Sequence, residues 1–311
     1  MVITISANNG IELCTSGSVY RMDPRKTVEG DINLVSHAHS DHLPRSGKEL
    51  SIVASTETVA LARLRTGKNF RKREAENVRL LDAGHIYGSS MFLIEEEARI
   101  LYTGDFCTKQ KVYLHRAMPQ KVDVLIIEST YGTPRYRFPD PLKLSSVIRE
   151  WVADALESGT SILFSCYPLG KAQELTHILS GMPLFGDESV LRHNRLLLKD
   201  EEVRPADEIS GPAVLLSSRS DAMRGFRGLR AGASGWFLEP ESRERMGLDE
   251  AFPLSDHCDF QDLMDFVAKC SPTKVYTVHG FAQELAGSIR RELGISAEPL
   301  HASRQSRIVD Y

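Results

Sequence analysis

The stretch INLVSHAHSDH (residues 32–42) governs how the rest of the chain is interpreted. It begins as a compact apolar strand and runs directly into the motif H-x-H-x-D-H. Four potential metal ligands in six positions, in a tight turn after a strand, cannot all point one way. We therefore expect His37 and His39 to serve one metal ion, and Asp41 and His42 to turn toward a second. Imidazole and carboxylate ligands suit zinc, with manganese or iron as substitutes.

Other predicted strands also end at residues capable of chemistry. His85 follows NVRLLDAG, Asp105 closes Y-T-G-D, Glu128 ends DVLIIE, and His279 lies in V-H-G. Glycines beside His85, Asp105 and His279 fit tight turns that aim these side chains inward. Together the three supply a third histidine for the first ion, a bridging carboxylate, and a last histidine for the second.

This donor set implies hydrolytic chemistry. Two metal ions roughly 3.5–4 Å apart can activate water and bind the oxygen under attack. No protein nucleophile is then required, and the reaction indicated is hydrolysis of an ester, amide or phosphoester.

The order of predicted elements suggests an α/β protein with an insertion. Residues 1–132 are strand-rich, and the region 133–240 contains strand, glycine and helix in the order typical of parallel α/β units. Residues 241–311 are expected to return to the first domain.

Composition bounds the protein class. The chain has 311 residues, 41% apolar and 26% charged, with a formal net charge of −4. These values are typical of a folded protein and exclude intrinsic disorder, collagen and coiled coils. The charge balance argues against a generally basic nucleic-acid coat protein, but it permits a local basic groove.

The lack of a visible targeting signal and the scattered cysteines predict a cytoplasmic protein. No apolar stretch is long enough to span a membrane, and MVITISANNG lacks the features of a secretory signal. The five cysteines are scattered and form no C-x-x-C motif, so they are expected to be reduced thiols.

The ligand pattern resembles the metallo-β-lactamase superfamily. H-A-H-S-D-H, His85, Asp105 and His279 occur in the order of that superfamily, and Asp23 in V-Y-R-M-D-P matches its acidic residue that orients the site. The resemblance implies an αββα sandwich that binds two zinc ions.

A further set of motifs resembles the β-CASP nuclease branch. Glu128 in E-S-T-Y-G, His257 in L-S-D-H and His279 are similar to its three additional motifs, and YPLGKAQEL (167–175) is similar to a stretch of its cap domain. The implied domains are a metallo-β-lactamase domain (1–132 and 241–311) and an inserted α/β β-CASP cap (133–240). The short ligase-associated DNA exonucleases, also described as mRNA 3′-end processing factors, are most similar.

The resemblance implies a two-zinc nuclease, with manganese as a substitute, that hydrolyses single-stranded nucleic acid in a cleft. Asp23, Asp41, Glu128 and His257 form the implied catalytic set, in which His257 protonates the leaving oxygen and Glu128 holds its ring. A DNA exonuclease in repair, working beside ligase or helicase machinery, is preferred. An RNA-processing ribonuclease is the alternative. A thioester or lactam hydrolase, or an inactive nucleic-acid-binding subunit, agrees less well with these residues.

Basic and aromatic residues predict where substrate binds. Arg135 and Arg137 interleave with Tyr136, which we expect to stack on a base. Gly170 and Lys171 open a helix that suits a phosphate. The remaining candidates are Arg219, Arg224 and the basic run over residues 63–73.

Overall fold

The computed structural model describes residues 3–198, 203–219 and 221–300, and the backbone of 305–308. The chain forms two compact units. The first comprises residues 1–108, 116–137 and 257–311, and the second comprises 109–115 and 138–256.

Two larger sheets form the first unit. The five-stranded sheet has the order β19-β1-β2-β3-β4, where the strands are β1 (Ile3–Ala7), β2 (Ile11–Cys14), β3 (Val19–Met22), β4 (Ile32–Leu34) and β19 (Gln305–Ile308). The six-stranded sheet has the order β18-β17-β10-β9-β8-β7, where the strands are β7 (Val78–Asp82), β8 (Ser90–Glu95), β9 (Arg99–Tyr102), β10 (Val124–Glu128), β17 (Lys274–Val278) and β18 (Ser296–Pro299). A small sheet pairs β5 (Ser51–Ile52) with β6 (Arg71–Lys72).

The two larger sheets share one core. Alternate residues of β1, such as Ile3 and Ile5, are buried together with Phe92 and Ile126 of the other sheet. Helices α6 (Phe260–Cys270) and α7 (Ala282–Ser288) pack on the opposite face of the six-stranded sheet. Strand β10 is therefore covered on both faces and is buried along its whole length.

Helix α1 (Thr56–Thr66) shows how local sequence sets an element's limits. The Ser55 side chain accepts a hydrogen bond from the Thr58 N–H, and Gly67 ends the helix at φ +69°.

The second unit is built on a parallel sheet. Its order is β13-β12-β14-β11-β15-β16, where the strands are β11 (Ile162–Ser165), β12 (Leu184–Gly186), β13 (Val203–Pro205), β14 (Val214–Ser217), β15 (Leu229–Ala233) and β16 (Glu250–Phe252). Its helices are α2 (Pro141–Glu157), α3 (Lys171–Ile178), α4 (Glu188–Leu197) and α5 (Pro240–Arg245). Buried residues of α2, α3, α4 and the sheet form one apolar cluster.

The fold class predicted from the sequence, an αββα sandwich with an inserted α/β unit, is confirmed. The ends of the insertion differ in detail from residues 133–240. Strand β16 pairs with β15, which extends the second unit past residue 240. Residues 109–115 also belong to this unit.

Two further predictions concern membranes and cysteines. Among the described residues, no helix is both long and apolar enough to cross a membrane. All five cysteines are free, and all except Cys14 are buried.

Candidate metal centre

The loop after β4 carries the histidine motif and is fixed by its backbone. The Val35 N–H donates to the carbonyl of Val53 at 3.0 Å, and the Ser36 N–H donates to Asp23 Oδ1 at 2.7 Å. These bonds hold the His37 side chain fully inside the unit.

Four donors converge at the first candidate ion site. His37, His39, His85 and Asp105 each offer one ligand atom, and these atoms lie within 4.8 Å of one another. His85 Nε2 lies 3.2 Å from His39 Nδ1, and His37 Nε2 lies 3.6 Å from Asp105 Oδ2. Three imidazoles and a carboxylate are a ligand set that zinc prefers.

The protonation pattern of His37 fits a metal ligand. The Ser36 hydroxyl donates to Asp23 Oδ2 at 2.6 Å, so its oxygen accepts from His37 Nδ1 at 3.0 Å. His37 Nε2 then carries the lone pair, and it has no hydrogen-bond partner within the described part of the chain. Burial lowers the pKa of His37 well below its usual value, which keeps the ring in the neutral form that binds metals.

A second set of donors adjoins the first through Asp105. His42 Nε2 lies 3.4 Å from Asp105 Oδ2 and 3.7 Å from Asp41 Oδ2. The ring of His279 lies 5.6 Å from that of His42, measured between centroids. Asp105 therefore has histidine nitrogens on both sides, the arrangement expected of a bridging carboxylate.

Asp23 lies behind this second set. It accepts hydrogen bonds from His42 Nδ1 and from the Tyr102 hydroxyl, both at 2.7 Å, and from Ser36. Burial and the Asp23 carboxylate raise the pKa of Tyr102 well above its usual value, so the hydroxyl remains a donor. Because Nδ1 of His42 is held by Asp23, Nε2 is turned toward the other donors.

We predict that Asp23→Asn weakens zinc binding about 10- to 100-fold, since His42 loses the carboxylate that orients it. Asparagine tolerates the φ of +47° found at position 23, so the backbone is kept. Competition titration against a chromogenic chelator measures the affinity. Asp31→Asn, which removes an ion pair with Arg21 in the same unit, is the matched control. Equal affinity in both variants would contradict the role of Asp23.

A histidine–carboxylate pair lies next to the metal ligands. His257 Nδ1 lies 2.9 and 3.0 Å from the two carboxylate oxygens of Glu128. The carboxylate also accepts from the Phe106 N–H at 2.9 Å and from the N–H and hydroxyl of Thr130. The His257 ring lies 4.5 Å from the His85 ring, and its side chain is 19% exposed. With Nδ1 held by Glu128, Nε2 is the nitrogen available for proton transfer.

The turn after β17 carries His279. The Ser129 hydroxyl donates to the carbonyls of Val278 and His279, and the Phe281 N–H donates to the Ser129 carbonyl at 2.7 Å. His279 and Gly280 both have positive φ, +61° and +43°. A Cβ at position 280 would lie 2.4 Å from the Ser129 carbonyl oxygen, so only glycine fits this turn.

Gly280→Ala is expected to lower the free energy of unfolding by about 2–4 kcal/mol, because strain at positive φ adds to a clash with backbone. Urea denaturation measures the change. Gly287→Ala is the control, since it lies in α7 with no atom within 4 Å of its Cβ. That variant should be neutral or slightly stabilising. A Gly280→Ala protein as stable as the control would contradict this view of the turn.

The structure corrects part of the predicted substrate-binding set. Tyr136 is only 1% exposed and packs against Tyr131 and Phe281, so its ring cannot stack on a base. Lys171 is buried against Glu174 and Asp256, and Gly170 is buried too, so neither presents a group to an external phosphate.

The predicted arginines are exposed. Arg135 lies over the rings of Tyr136 and Phe281, at 4.8 and 5.1 Å from their centroids. Arg137 donates to Gln261, and Arg219 pairs with Asp221. Arg224 is exposed as well. Their role in substrate binding stays a prediction.

The sequence did not predict the groups that orient the site. Ser36 links Asp23 to His37, Tyr102 donates to Asp23, and Phe106 and Thr130 hold Glu128 through their N–H groups. Ser36 and Tyr102 adjoin the motifs in sequence, which is a signal in hindsight. The backbone donors leave no trace in residue type.

A protein-family model matches residues 250–298, the segment that contains His257 and His279. It describes a Zn-dependent metallo-hydrolase RNA specificity domain.

Curated relatives cover more of the chain. A protein named "Probable DNA ligase" from Opitutus terrae is 33% identical over 291 residues, or 85% of this chain and 28% of the relative. Cleavage and polyadenylation specificity factor subunit 3 of Dictyostelium discoideum is 33% identical over 52% of this chain and 21% of its own length. Endoribonuclease YSH1 of Mycosarcoma maydis is 42% identical over 52% of this chain and 19% of its own length. The chain thus spans less than a third of each of these relatives.

One solved structure resembles the whole fold. The crystal structure of a protein of unknown function from Enterococcus faecalis V583 has a TM-score of 0.68. It covers 99% of this chain and 100% of its own, at 14% identity. At this identity the likeness concerns the fold alone.

Proposed function

The chain belongs to the β-CASP nuclease branch of the metallo-β-lactamase superfamily, and from that premise we propose that it is a zinc-dependent nuclease acting on single-stranded nucleic acid. The observation that carries the proposal is the adjacency of two groups. The donors His37, His39, His85 and Asp105 lie beside the Glu128–His257 pair. One ligand atom from each of Asp105, Glu128 and His257 also lies within 4.8 Å of the other two.

We propose that the site holds two zinc ions. His37, His39 and His85 would hold the first, Asp41, His42 and His279 the second, and Asp105 would bridge them. When bound, the ions activate a water molecule and neutralise charge that develops on the phosphate. Manganese has similar ligand preferences and would be a substitute.

His257 supplies the proton in this proposal. Its Nδ1 is held by Glu128 at 2.9 Å, and the carboxylate stabilises the protonated ring. Nε2 then donates its proton to the oxygen that leaves the phosphodiester. A thioester or lactam hydrolase on the same fold would have no need for this pair, which favours the phosphoester.

We favour DNA over RNA as substrate. The support is the relative named a probable DNA ligase, because it carries a region similar to most of this chain. A nuclease that trims strand ends and a ligase that seals them act on the same substrate, so repair beside ligase machinery fits. RNA processing is the second candidate, favoured by the relatives named endoribonucleases and by the RNA specificity domain.

The test uses single-stranded DNA and RNA of one sequence, labelled at either end and incubated with protein and zinc or manganese. We expect DNA to be degraded from one end, which yields a ladder with one label and mononucleotides with the other. Cleavage of RNA alone would favour the second candidate. If no metal supported cleavage of either polymer, the proposed nuclease function would be wrong.

A further inference from the structure

A buried cluster of charged side chains lies in the second unit and includes none of the candidate metal ligands. It consists of Lys111, Lys171, Glu174 and Asp256. The first three are 3–5% exposed, and the side chain of Asp256 is 13% exposed.

The ammonium groups converge on Asp256. Lys171 Nζ lies 2.8 Å from Asp256 Oδ1 and 2.5 Å from Glu174 Oε2. Lys111 Nζ lies 3.3 Å from the same Asp256 oxygen. Burial alone would lower the pKa of Lys171, but Asp256 and Glu174 outweigh it and raise the pKa, so the lysine remains charged.

The cluster joins three separate parts of the chain. Lys111 lies in residues 109–115, Lys171 is the first residue of α3, and Asp256 is the last residue of the second unit. Removing charged groups from water is unfavourable, and apolar residues of similar volume would often be at least as stable there. Stability alone therefore does not explain the cluster, in which both lysines pair with Asp256.

Asp256 directly precedes His257, and the residues that follow His257 are also held in place. The Cys258 N–H donates to the carbonyl of Phe106 at 3.0 Å, and the Phe106 N–H donates to Glu128. Asp259 caps α6 by a reciprocal pair of bonds with Asp262. The residues after His257 are thus held by hydrogen bonds from their backbone N–H groups. The residue before it is held by ion pairs with the two lysines.

We infer that Lys171 and Lys111 are positioning residues, which hold Asp256 so that His257 keeps the orientation needed to protonate the leaving oxygen. This inference rests on the proposed nuclease function. Neither lysine touches the substrate in this scheme, since both are buried. Their effect reaches the reaction through the backbone of Asp256.

The test compares two substrates in Lys171→Met and Asp256→Asn. One is a single-stranded oligonucleotide, whose leaving oxygen needs a proton. The other is bis(p-nitrophenyl) phosphate, whose leaving group is a weak base and needs none. We expect kcat on the oligonucleotide to fall about 10- to 100-fold, as small displacements of a catalytic group do, with KM little changed. The decrease on the activated ester should be less than about threefold.

Two variants serve as controls. Arg195→Met removes an exposed ion pair with Glu188 in the same unit and should leave both rates unchanged. Lys171→Met combined with Glu174→Gln removes one charge of each sign, so it serves in place of Lys171→Met if the single variant does not fold. It should show the same substrate selectivity.

Failure of the positioning role and failure of the proposed nuclease function give different results. Equal losses on both substrates, or no loss on either, would overturn the positioning role while the wild type remains active. A wild type that cleaves no nucleic acid would overturn the proposed function first. Amide hydrogen exchange at residues 255–258 is independent of activity, and we expect it to accelerate in Asp256→Asn and not in Arg195→Met.

Discussion

Replacing His257 with alanine is expected to slow cleavage of single-stranded nucleic acid by about 100- to 10,000-fold, the usual contribution of general acid catalysis. The zinc content should be unchanged, because the donors of the first ion site are His37, His39, His85 and Asp105. Single-turnover kinetics, with metal analysis of the same sample, measure both quantities. The loss should be much smaller on bis(p-nitrophenyl) phosphate, whose leaving group needs no proton.

Two further variants, Glu128→Gln and His115→Ala, complete this experiment. Glutamine keeps a hydrogen bond to His257 but removes the charge that stabilises the protonated ring, so we expect a smaller loss than in His257→Ala. His115→Ala, an exposed position of the second unit, should cleave at the wild-type rate. If His257→Ala lost its zinc together with its activity, the residue would be a metal ligand and its role as acid would be wrong.

Replacing His85 with alanine is expected to have an effect of comparable size. This change removes one imidazole from the first ion site, where His85 Nε2 lies 3.2 Å from His39 Nδ1 and 3.9 Å from Asp105 Oδ2. Metal ions contribute several kcal/mol to such reactions, so we expect cleavage to fall by about a thousandfold or more. Mass spectrometry of the purified protein should find less bound zinc than in the wild type.

Thermal unfolding gives a second measure of the same variant. A ligand that binds only the folded state raises the unfolding temperature, so added zinc should stabilise the chelator-treated wild type more than His85→Ala. His115→Ala again serves as the matched histidine control. Wild-type zinc content and the same response to zinc in His85→Ala would contradict the assignment of this ligand.

The grouping of the candidate ligands could be predicted because its signal is local, while their binding of metal stays a prediction. The H-x-H-x-D-H motif follows an apolar strand, and His85, Asp105 and His279 each follow or close another. These residues are distant in sequence and follow strands of two sheets, β4 in the five-stranded sheet and β7, β9 and β17 in the six-stranded sheet. Asp105 does lie within 4 Å of His37, His42 and His85 nitrogens.

The substrate-binding residues could not be predicted as well, because exposure depends on packing over the whole chain. Arg-Tyr-Arg at residues 135–137 has the composition of a base-stacking surface, yet Tyr136 points into the core while both arginines point outward. Lys171 opens a helix after a glycine, which suits a phosphate. The carboxylates that bury it come from Glu174, one turn along, and from Asp256, which is 85 residues away.

The limits of the second unit were also difficult to predict. The segment after residue 240 contains a short strand, Glu250–Phe252, whose pairing partner is decided by tertiary structure. Residues 109–115 carry no compositional sign that they leave the first unit. Hydrogen bonds to backbone groups, such as the Phe106 N–H on Glu128, depend on the same long-range packing.

Cleavage by metal-free and zinc-loaded protein tests the central claim most directly. The protein is stripped with a chelator, dialysed, and assayed on end-labelled single-stranded DNA and RNA as zinc is added back. We predict no cleavage before addition and recovery of cleavage that levels off near two zinc ions per chain. Cleavage at the full rate by the stripped protein, or none by the zinc-loaded protein on either polymer, would contradict a metal-dependent nuclease.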